Sequence, residues 1–295
     1  MTDQNKTPAT AQPDWARFLA RESFIELDAM GRARAVLDPG TFRMLLGPFD
    51  RLKSPWLPLQ NIVTQADDGV VLARGTIDGQ PAVVAAIESA FQGGSMGEVS
   101  GAKIAASLEL ALADNEKGIP TRAVILFETG GVRLQEANLG LAVIAEIHAG
   151  IVALRRHVPV VGVIAGMVGC FGGMSLAASL CSSLIATRQG RLGMNGPEVI
   201  EQEAGIEELD SSNKRLIWQL IGGEQRQAIG LVDTLVDDDA AAIASAIRAA
   251  FARGVPARHR SAQVEDYLAK LAAIDPASPL EPNALRTLWG KGDHE

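Results

Sequence analysis

An α/β fold built on a mostly parallel sheet follows from three features of the sequence. Apolar, β-branched runs of strand length alternate with helical patterns through the middle of the chain. Two of those runs, residues 122–128 and 158–165, each lead into a glycine pair, Gly130-Gly131 and Gly172-Gly173, followed by a helical pattern. The 295 residues, 47% hydrophobic and poor in aromatics, can bury a sizeable core.

Taken in order, residues 1–13 are polar with no apolar segment and read as a disordered lead, not a signal peptide. Residues 14–46 show helical periodicity broken at Gly31 and at Asp38-Pro39-Gly40, so residues 14–60 read as an N-terminal helical arm. Residues 48–58 are loop-like, with Pro55 and Trp56 exposed or packed on a neighbour. Residues 70–77 and 81–87 then predict a β-hairpin turned by Asp78-Gly79. Phe91-Gln-Gly-Gly-Ser95 leads into a helix at 97–115, where Glu98 suits the positive end of the dipole.

Next come a strand at 122–128, a helix at 134–156, a strand at 158–165, a helix at 173–181 and a strand at 183–187. This alternation implies parallel strands joined by right-handed crossovers. Gly222-Gly223-Glu224 opens a short helix, 231–236 is a late strand, and helices follow at 239–253 and 262–273. The tail after Asp275, with Pro276, Pro279 and Pro282, reads as irregular and suited to docking on a partner. Residues 61–256 thus form the core, and 257–295 a C-terminal helix and tail.

Composition excludes several function classes. A net charge of −8, spread along the chain, argues against nucleic acid as the main partner. Residues 158–187 carry no formal charge, but Pro159, the glycines and Ser182-Ser183 make them a buried strand–turn–helix–strand, not a membrane span. The two cysteines, Cys170 and Cys181, sit in apolar sequence and read as buried thiols in a reducing, cytoplasmic setting. Metal-ligand spacings are absent, and the four histidines, 148, 157, 259 and 294, read as structural. Gly93-Gly94-Ser-Met-Gly97 departs from the dinucleotide fingerprint at Gln92. No P-loop or G-x-S-x-G occurs, and Ser95 and Ser175 lack a recognisable His/Asp set.

The glycine constellation remains. Glycines at strand ends serve tight turns and close helix–sheet packing. Three such sites, 93–94, 130–131 and 172–173, each between a strand and a helix, also suit a backbone-lined pocket. A helix N-terminus offers free N–H groups, and paired donors suit a carbonyl oxygen that becomes negative during reaction. Gly172-Gly173, before the nearly uncharged Met174-Ser-Leu-Ala-Ala-Ser-Leu, is the best candidate. Arg133, Gln135 and Glu136 read either as a polar helix start or as groups that hold the first turn or a partner subunit.

Three stretches carry a resemblance: Gly93-Gly-Ser-Met-Gly-Glu-Val-Ser-Gly-Ala-Lys-Ile104, Glu128-Thr-Gly-Gly-Val-Arg-Leu-Gln-Glu136 and Ala165-Gly-Met-Val-Gly-Cys-Phe-Gly-Gly173. With Asn195-Gly-Pro-Glu-Val199, they resemble the signature segments of acyl-CoA carboxyltransferase subunits across roughly residues 65–240. That resemblance implies a crotonase-like β-β-α spiral core of the carboxyltransferase N-domain type, with two backbone N–H donors around a thioester oxygen. Within the group, the wording is most similar to β subunits of biotin-independent malonate decarboxylases. The sequence lacks the four-cysteine zinc ribbon of the bacterial acetyl-CoA carboxylase β subunit. It also reads Glu128-Thr-Gly-Gly-Val-Arg133 where carboxyltransferases usually have Asp-Ser-Gly-Gly-Ala-Arg.

The resemblance implies a malonyl thioester on an acyl carrier protein, held by a CoA-derived prosthetic arm and decarboxylated with neither biotin nor metal. It implies a γ subunit of related fold as partner, beside the carrier and an acyl-carrier transferase α subunit. Carried over by motif, the donors are the N–H of Val132, next to Gly131, and that of Gly173 or its neighbour Gly172. Gly93, Gly94, Gly130, Asn195 and Gly196 fall in the substrate-binding segments. A β-branched replacement of Gly173 is then expected to abolish turnover and leave assembly intact. Three other readings stay open. One is a biotin-dependent carboxyltransferase subunit. Another is a hydratase or isomerase using Glu136 or Glu146 as its carboxylate. The third is a scaffold subunit whose partner holds the working site.

Overall fold

The computed structural model describes residues 15–64, 69–275 and 281–290. The expected lead at 1–13 lies outside them. Two helices come first, α1 (Trp15–Ala20) and α2 (Ala29–Val36), followed by strand β1 (Arg43–Leu46). The hairpin β2 (Val70–Ile77) and β3 (Gln80–Ile87) leads to α3 (Glu98–Glu116), β4 (Arg122–Phe127), α4 (Ala137–Leu154) and β5 (Val160–Ile164). Then come α5 (Gly173–Leu180), β6 (Ser183–Thr187), α6 (Pro197–Ala204), α7 (Lys214–Ile221), α8 (Gly223–Ala228) and β7 (Thr234–Val236). Helices α9 (Ala240–Arg253), α10 (Val264–Ala272) and α11 (Pro282–Trp289) close the chain.

The strands form one seven-stranded sheet in sequence order. β1–β2 and β2–β3 pair antiparallel, and every pair from β3 to β7 is parallel. Alternation along the strands divides the core in two. Val83, Ala85, Ile125 and Phe127 face α3, α4 and α5, with Ile104, Leu108, Ile147 and Ile151. Val84, Ala86, Val124 and Leu126 face α2 and α9, with Ala33, Val36, Ile243 and Ile247. Strands covered on both faces need continuous apolar runs, the pattern that made β4–β6 readable. Helices α3 and α4 approach closely because Gly101 sits against Val143: a Cβ there would lie 2.3 Å from Val143 Cγ2.

The hairpin turn has the expected geometry, with positive φ at both Asp78 (50°) and Gly79 (72°). Several elements differ from expectation. Gly31 lies inside α2, whose start is capped by Asp28, so it breaks nothing. β1 is an edge strand of four residues with an irregularity between Met44 and Leu46, too short to show alternation. Helices α6 and α7 are two short amphipathic helices of eight residues each that the sequence reading did not assign. The tail is not irregular throughout: Pro282 stands at the first turn of α11, where its missing N–H costs nothing. α11 rests on α8, with Gln225 Nε2 donating to Pro282 O at 3.0 Å. Among the described residues, no helix is long and apolar enough to cross a membrane.

Candidate active site

The chain leaves the C-terminal ends of the parallel strands in glycine-rich loops that pair side by side. Single parallel bridges join Met96 to Val132, Thr129 to Cys170 and Cys170 to Leu192. The first is made by Met96 N–H donating to Gly131 O (2.7 Å) and Arg133 N–H to Met96 O (2.8 Å). The second uses Thr129 N–H to Gly169 O (2.8 Å) and Phe171 N–H to Thr129 O (3.1 Å). A small ladder thus stands at the mouth of the main sheet and brings residues 93–96, 129–133, 169–173 and 191–195 together.

In this ladder the two turns touch. A Cβ built on Gly172 would lie 3.3 Å from Gly131 Cα and 3.8 Å from Val132 N. Gly131 has φ 111° and Gly172 has φ 60°, conformations that glycine adopts at little cost. The donors divide clearly. Gly131 N–H donates to Thr129 Oγ1 (3.0 Å), and Gly172 N–H to Met194 O (2.8 Å). The N–H groups of Val132 and of Gly173, the first residue of α5, have no partner among the described residues. Of the alternatives Gly172 and Gly173, only Gly173 keeps its N–H free. Its carbonyl is met by His148 Nε2 at 2.9 Å.

The remaining expected positions fall into two kinds. Gly93 (φ 64°) has open space where a Cβ would stand, and its carbonyl accepts from Gly130 N–H at 2.9 Å. Asn195 is exposed, and Gly196 precedes α6 beside the Met194 carbonyl that holds Gly172. Gly94 instead packs against the main chain: its Cβ would lie 1.9 Å from Glu128 O. Gly173 also borders α4, since a Cβ would lie 2.8 Å from Ile144 Cγ2. A β-branched residue there would displace α4, so the expected clean loss of turnover does not isolate the N–H.

Arg133 and Glu136 hold the first turn. They form a buried pair at 2.7 Å, and Glu136 Oε2 accepts from Glu98 N–H (2.6 Å) at the start of α3. Arg133 also donates to Ser95 O at 3.0 Å. Glu136 is therefore fully engaged as a cap, which removes it from the role of a reacting carboxylate.

Three charged residues hold the second turn: Glu128, noted above only as a departure within its segment, and Arg32 and Arg191, which the sequence did not single out. Glu128 is buried; its Oε1 accepts from Val168 N–H (2.7 Å) and Gly169 N–H (3.3 Å). Its Oε2 meets Arg32 Nη1 of α2 at 3.1 Å. Burial pushes the Glu128 carboxyl upward, while Arg32 and the two N–H groups pull it down. From the other side, Arg191 donates through Nε (3.0 Å) and Nη2 (2.6 Å) to Met167 O, and through Nη2 to Val168 O at 3.2 Å. Its guanidinium lies over the rings of Phe171 (5.6 Å) and Trp218 (4.9 Å). The sequence signal for Glu128 was a lone charge closing an apolar strand; for Arg191 there was none.

Around the turns, Leu134, Met167 and Met194 are 82%, 59% and 52% exposed. An open, apolar-rimmed site with two free backbone donors can bind a carbonyl oxygen and stabilise negative charge on it.

Fold and site together define a carboxyltransferase-type protein: the chain belongs to the carboxyl transferase domain family, matched over residues 27–284. It is 62% identical to a chain of the Pseudomonas malonate decarboxylase hetero-tetramer solved in complex with malonate, with a TM-score of 0.88 over 94% of this chain and 100% of that one. A malonyl-S-ACP:biotin-protein carboxyltransferase, MADC, of Malonomonas rubra is 42% identical over 230 residues, 75% of this chain and 72% of the relative. The methylmalonyl-CoA carboxyltransferase 12S subunit of Propionibacterium freudenreichii subsp. shermanii is 31% identical over 215 residues, 72% of this chain but 38% of that protein.

Proposed function

We propose that this chain is the β subunit of a malonate decarboxylase, converting a malonyl thioester to an acetyl thioester and CO2. The observation that carries the reading is the pair of unpartnered N–H groups, Val132 and Gly173, on two touching glycine turns. Breaking the bond between the carboxylate carbon and the methylene carbon releases CO2 and sends the electron pair toward the thioester carbonyl. The resulting enolate carries its charge on oxygen until the methylene carbon takes up one proton. Donors aimed at that oxygen lower the barrier, one such donor being worth about 2.7–4 kcal/mol. In this reading Gly93, Gly130, Asn195 and Gly196 contribute to binding the thioester.

The substrate in this reading is malonyl on an acyl carrier protein, presented by a CoA-derived arm and loaded by an acyl-carrier transferase α subunit. A γ subunit of related fold covers the exposed Leu134, Met167 and Met194 and completes the site. Similarity to the Pseudomonas hetero-tetramer supports a hetero-oligomer, and the buried free thiols Cys170 and Cys181 suit the cytoplasm. No biotin or metal takes part.

The activity of the Malonomonas rubra relative, a malonyl-S-ACP:biotin-protein carboxyltransferase, favours a second reading, in which the carboxyl group passes to a biotin protein. One experiment separates them. The chain is co-purified with its partner subunit and given malonyl-carrier or malonyl-CoA, with and without a biotin carrier protein. CO2 release from malonyl-carrier without biotin is the expected result. Release or transfer only when the biotin protein is present would replace the first reading with the second.

A further inference from the structure

The turn that precedes the Gly173 donor is gripped from two sides, and one of the grips begins in the other donor loop. Glu128 opens the loop that carries Val132. Its side chain crosses to the second loop and takes the N–H groups of Val168 and Gly169, while the backbone next to it, at Thr129, pairs with Gly169 and Phe171. The fit is close. A Cβ on Gly166 would lie 1.4 Å from Glu128 Oε2, and one on Gly169 (φ 86°) would lie 2.5 Å from Arg191 O. Both sequence positions are thus reserved for glycine by the residues of the clamp.

Arg191 holds the opposite side of the same turn through the carbonyls of Met167 and Val168. The N–H edge of the turn therefore faces a carboxylate and its C=O edge a guanidinium. Arg32 fixes the carboxylate from below, and its Nε and Nη2 are anchored on Phe24 O (3.1 Å) and Ile25 O (2.7 Å). Glu128 is buried, and the Arg191 guanidinium is taken up by the carbonyls of Met167 and Val168. Their effect passes through residues 168–172.

We propose that Glu128 and Arg191 are positioning residues that set the distance and angle between the Val132 and Gly173 N–H donors, so that the pair matches an enolate oxygen better than a neutral thioester carbonyl. The proposal rests on the enolate reading above. Binding to a charged, relocated oxygen depends steeply on donor placement, whereas ground-state affinity is spread over the whole thioester arm. A misplaced pair should therefore lose affinity selectively for the anionic form.

The test uses the complex with its partner subunit and two carrier-bound probes. A sulfoacetyl thioester, whose sulfonate cannot leave as CO2 does, represents the ground state. A nitroacetyl thioester, ionised at its acidic methylene, shares its negative charge between the nitro group and the thioester oxygen, with the planar geometry of an enolate. Titration calorimetry gives stoichiometry, which reports the folded fraction, separately from affinity. In Glu128→Gln one accepting oxygen becomes an NH2 that faces either Arg32 or the Val168 and Gly169 N–H groups as an unmatched donor. The link from Arg32 to the second loop is then broken on one side. The expected result is a stoichiometry like wild type, sulfoacetyl affinity within about twofold, and nitroacetyl affinity reduced at least tenfold.

Arg191→Lys, at a half-buried position and with its charge kept, is the second variant. It is expected to show the same selective loss, smaller because an ammonium lacks the guanidinium fork. Equal loss for both probes, or none for either, in the variant that retains wild-type stoichiometry would overturn the positioning role. A wild-type complex that binds the nitroacetyl probe no more tightly than the sulfoacetyl probe would instead sink the enolate reading, and the proposal with it.

Discussion

Val132 shows how little of a residue a reaction can use. Its side chain packs at the edge of the core, with Cγ2 2.8 Å from where a Cβ on Gly140 would stand. Its N–H takes no part in the bridge to Met96, which runs through Gly131 O and Arg133 N–H. Side chain and donor can therefore be removed separately. Val132→Ala should keep decarboxylation within a few-fold of wild type, while Val132→Pro, which deletes the N–H without costing a ladder bond, should lower kcat by about 10²–10³. Single-turnover CO2 release by the assembled complex measures both. Equal rates for the two variants would mean that the reaction does not use this N–H.

The β2–β3 hairpin is an element whose stability depends on a residue far from its own strands. Asp38 accepts from Gly79 N–H (2.9 Å), Thr76 Oγ1 (2.7 Å) and Asp78 N–H (3.1 Å), with Arg248 at 3.3 Å. The Gly79 N–H above all, against opposing burial, holds its carboxyl at about 2, below the usual 3.8. Because the folded value is the lower one, the stabilisation is present above about pH 4 and is lost as pH falls toward 2. Asp38→Asn should lower the urea midpoint at pH 7 and flatten the fall in stability between pH 4 and 2. An acid limb as steep as wild type would rule out this carboxylate as its source.

The same element scale shows what sequence reasoning reaches. The hairpin, β4 to β6 and the helices between them were legible because burial on both faces imposes long apolar runs and a period. β1, α6, α7 and α11 were not: the first is short and lies at an edge, and the last starts on a proline usually taken as a stop. In the site, the glycine turns were legible because close approach demands that residue type. The pairing of Arg32 with Glu128 was not, since nothing local marks two residues 96 apart in sequence.

At the scale of the whole molecule, the loops above the sheet are held by a different economy from the strands beneath them. β3 to β6 share runs of paired residues and two apolar faces. The loops meet through one β-bridge per neighbour: Met96 with Val132, Thr129 with Cys170, Cys170 with Leu192, and Arg191 with Gly222. A few hydrogen bonds stand beside these, such as Gly130 N–H to Gly93 O and Gly172 N–H to Met194 O. Links this short open more readily than a strand ladder, and because each loop borders the next they open together. In native-state hydrogen exchange, the amides of Thr129, Cys170 and Gly193 should therefore share one opening free energy, below that of Val124, Val161 and Ile185. Unrelated protection at these three amides would show independent loops. A shared value would mean that the site appears and disappears as a unit while the sheet stays folded, so that a binding partner that steadies one loop steadies them all.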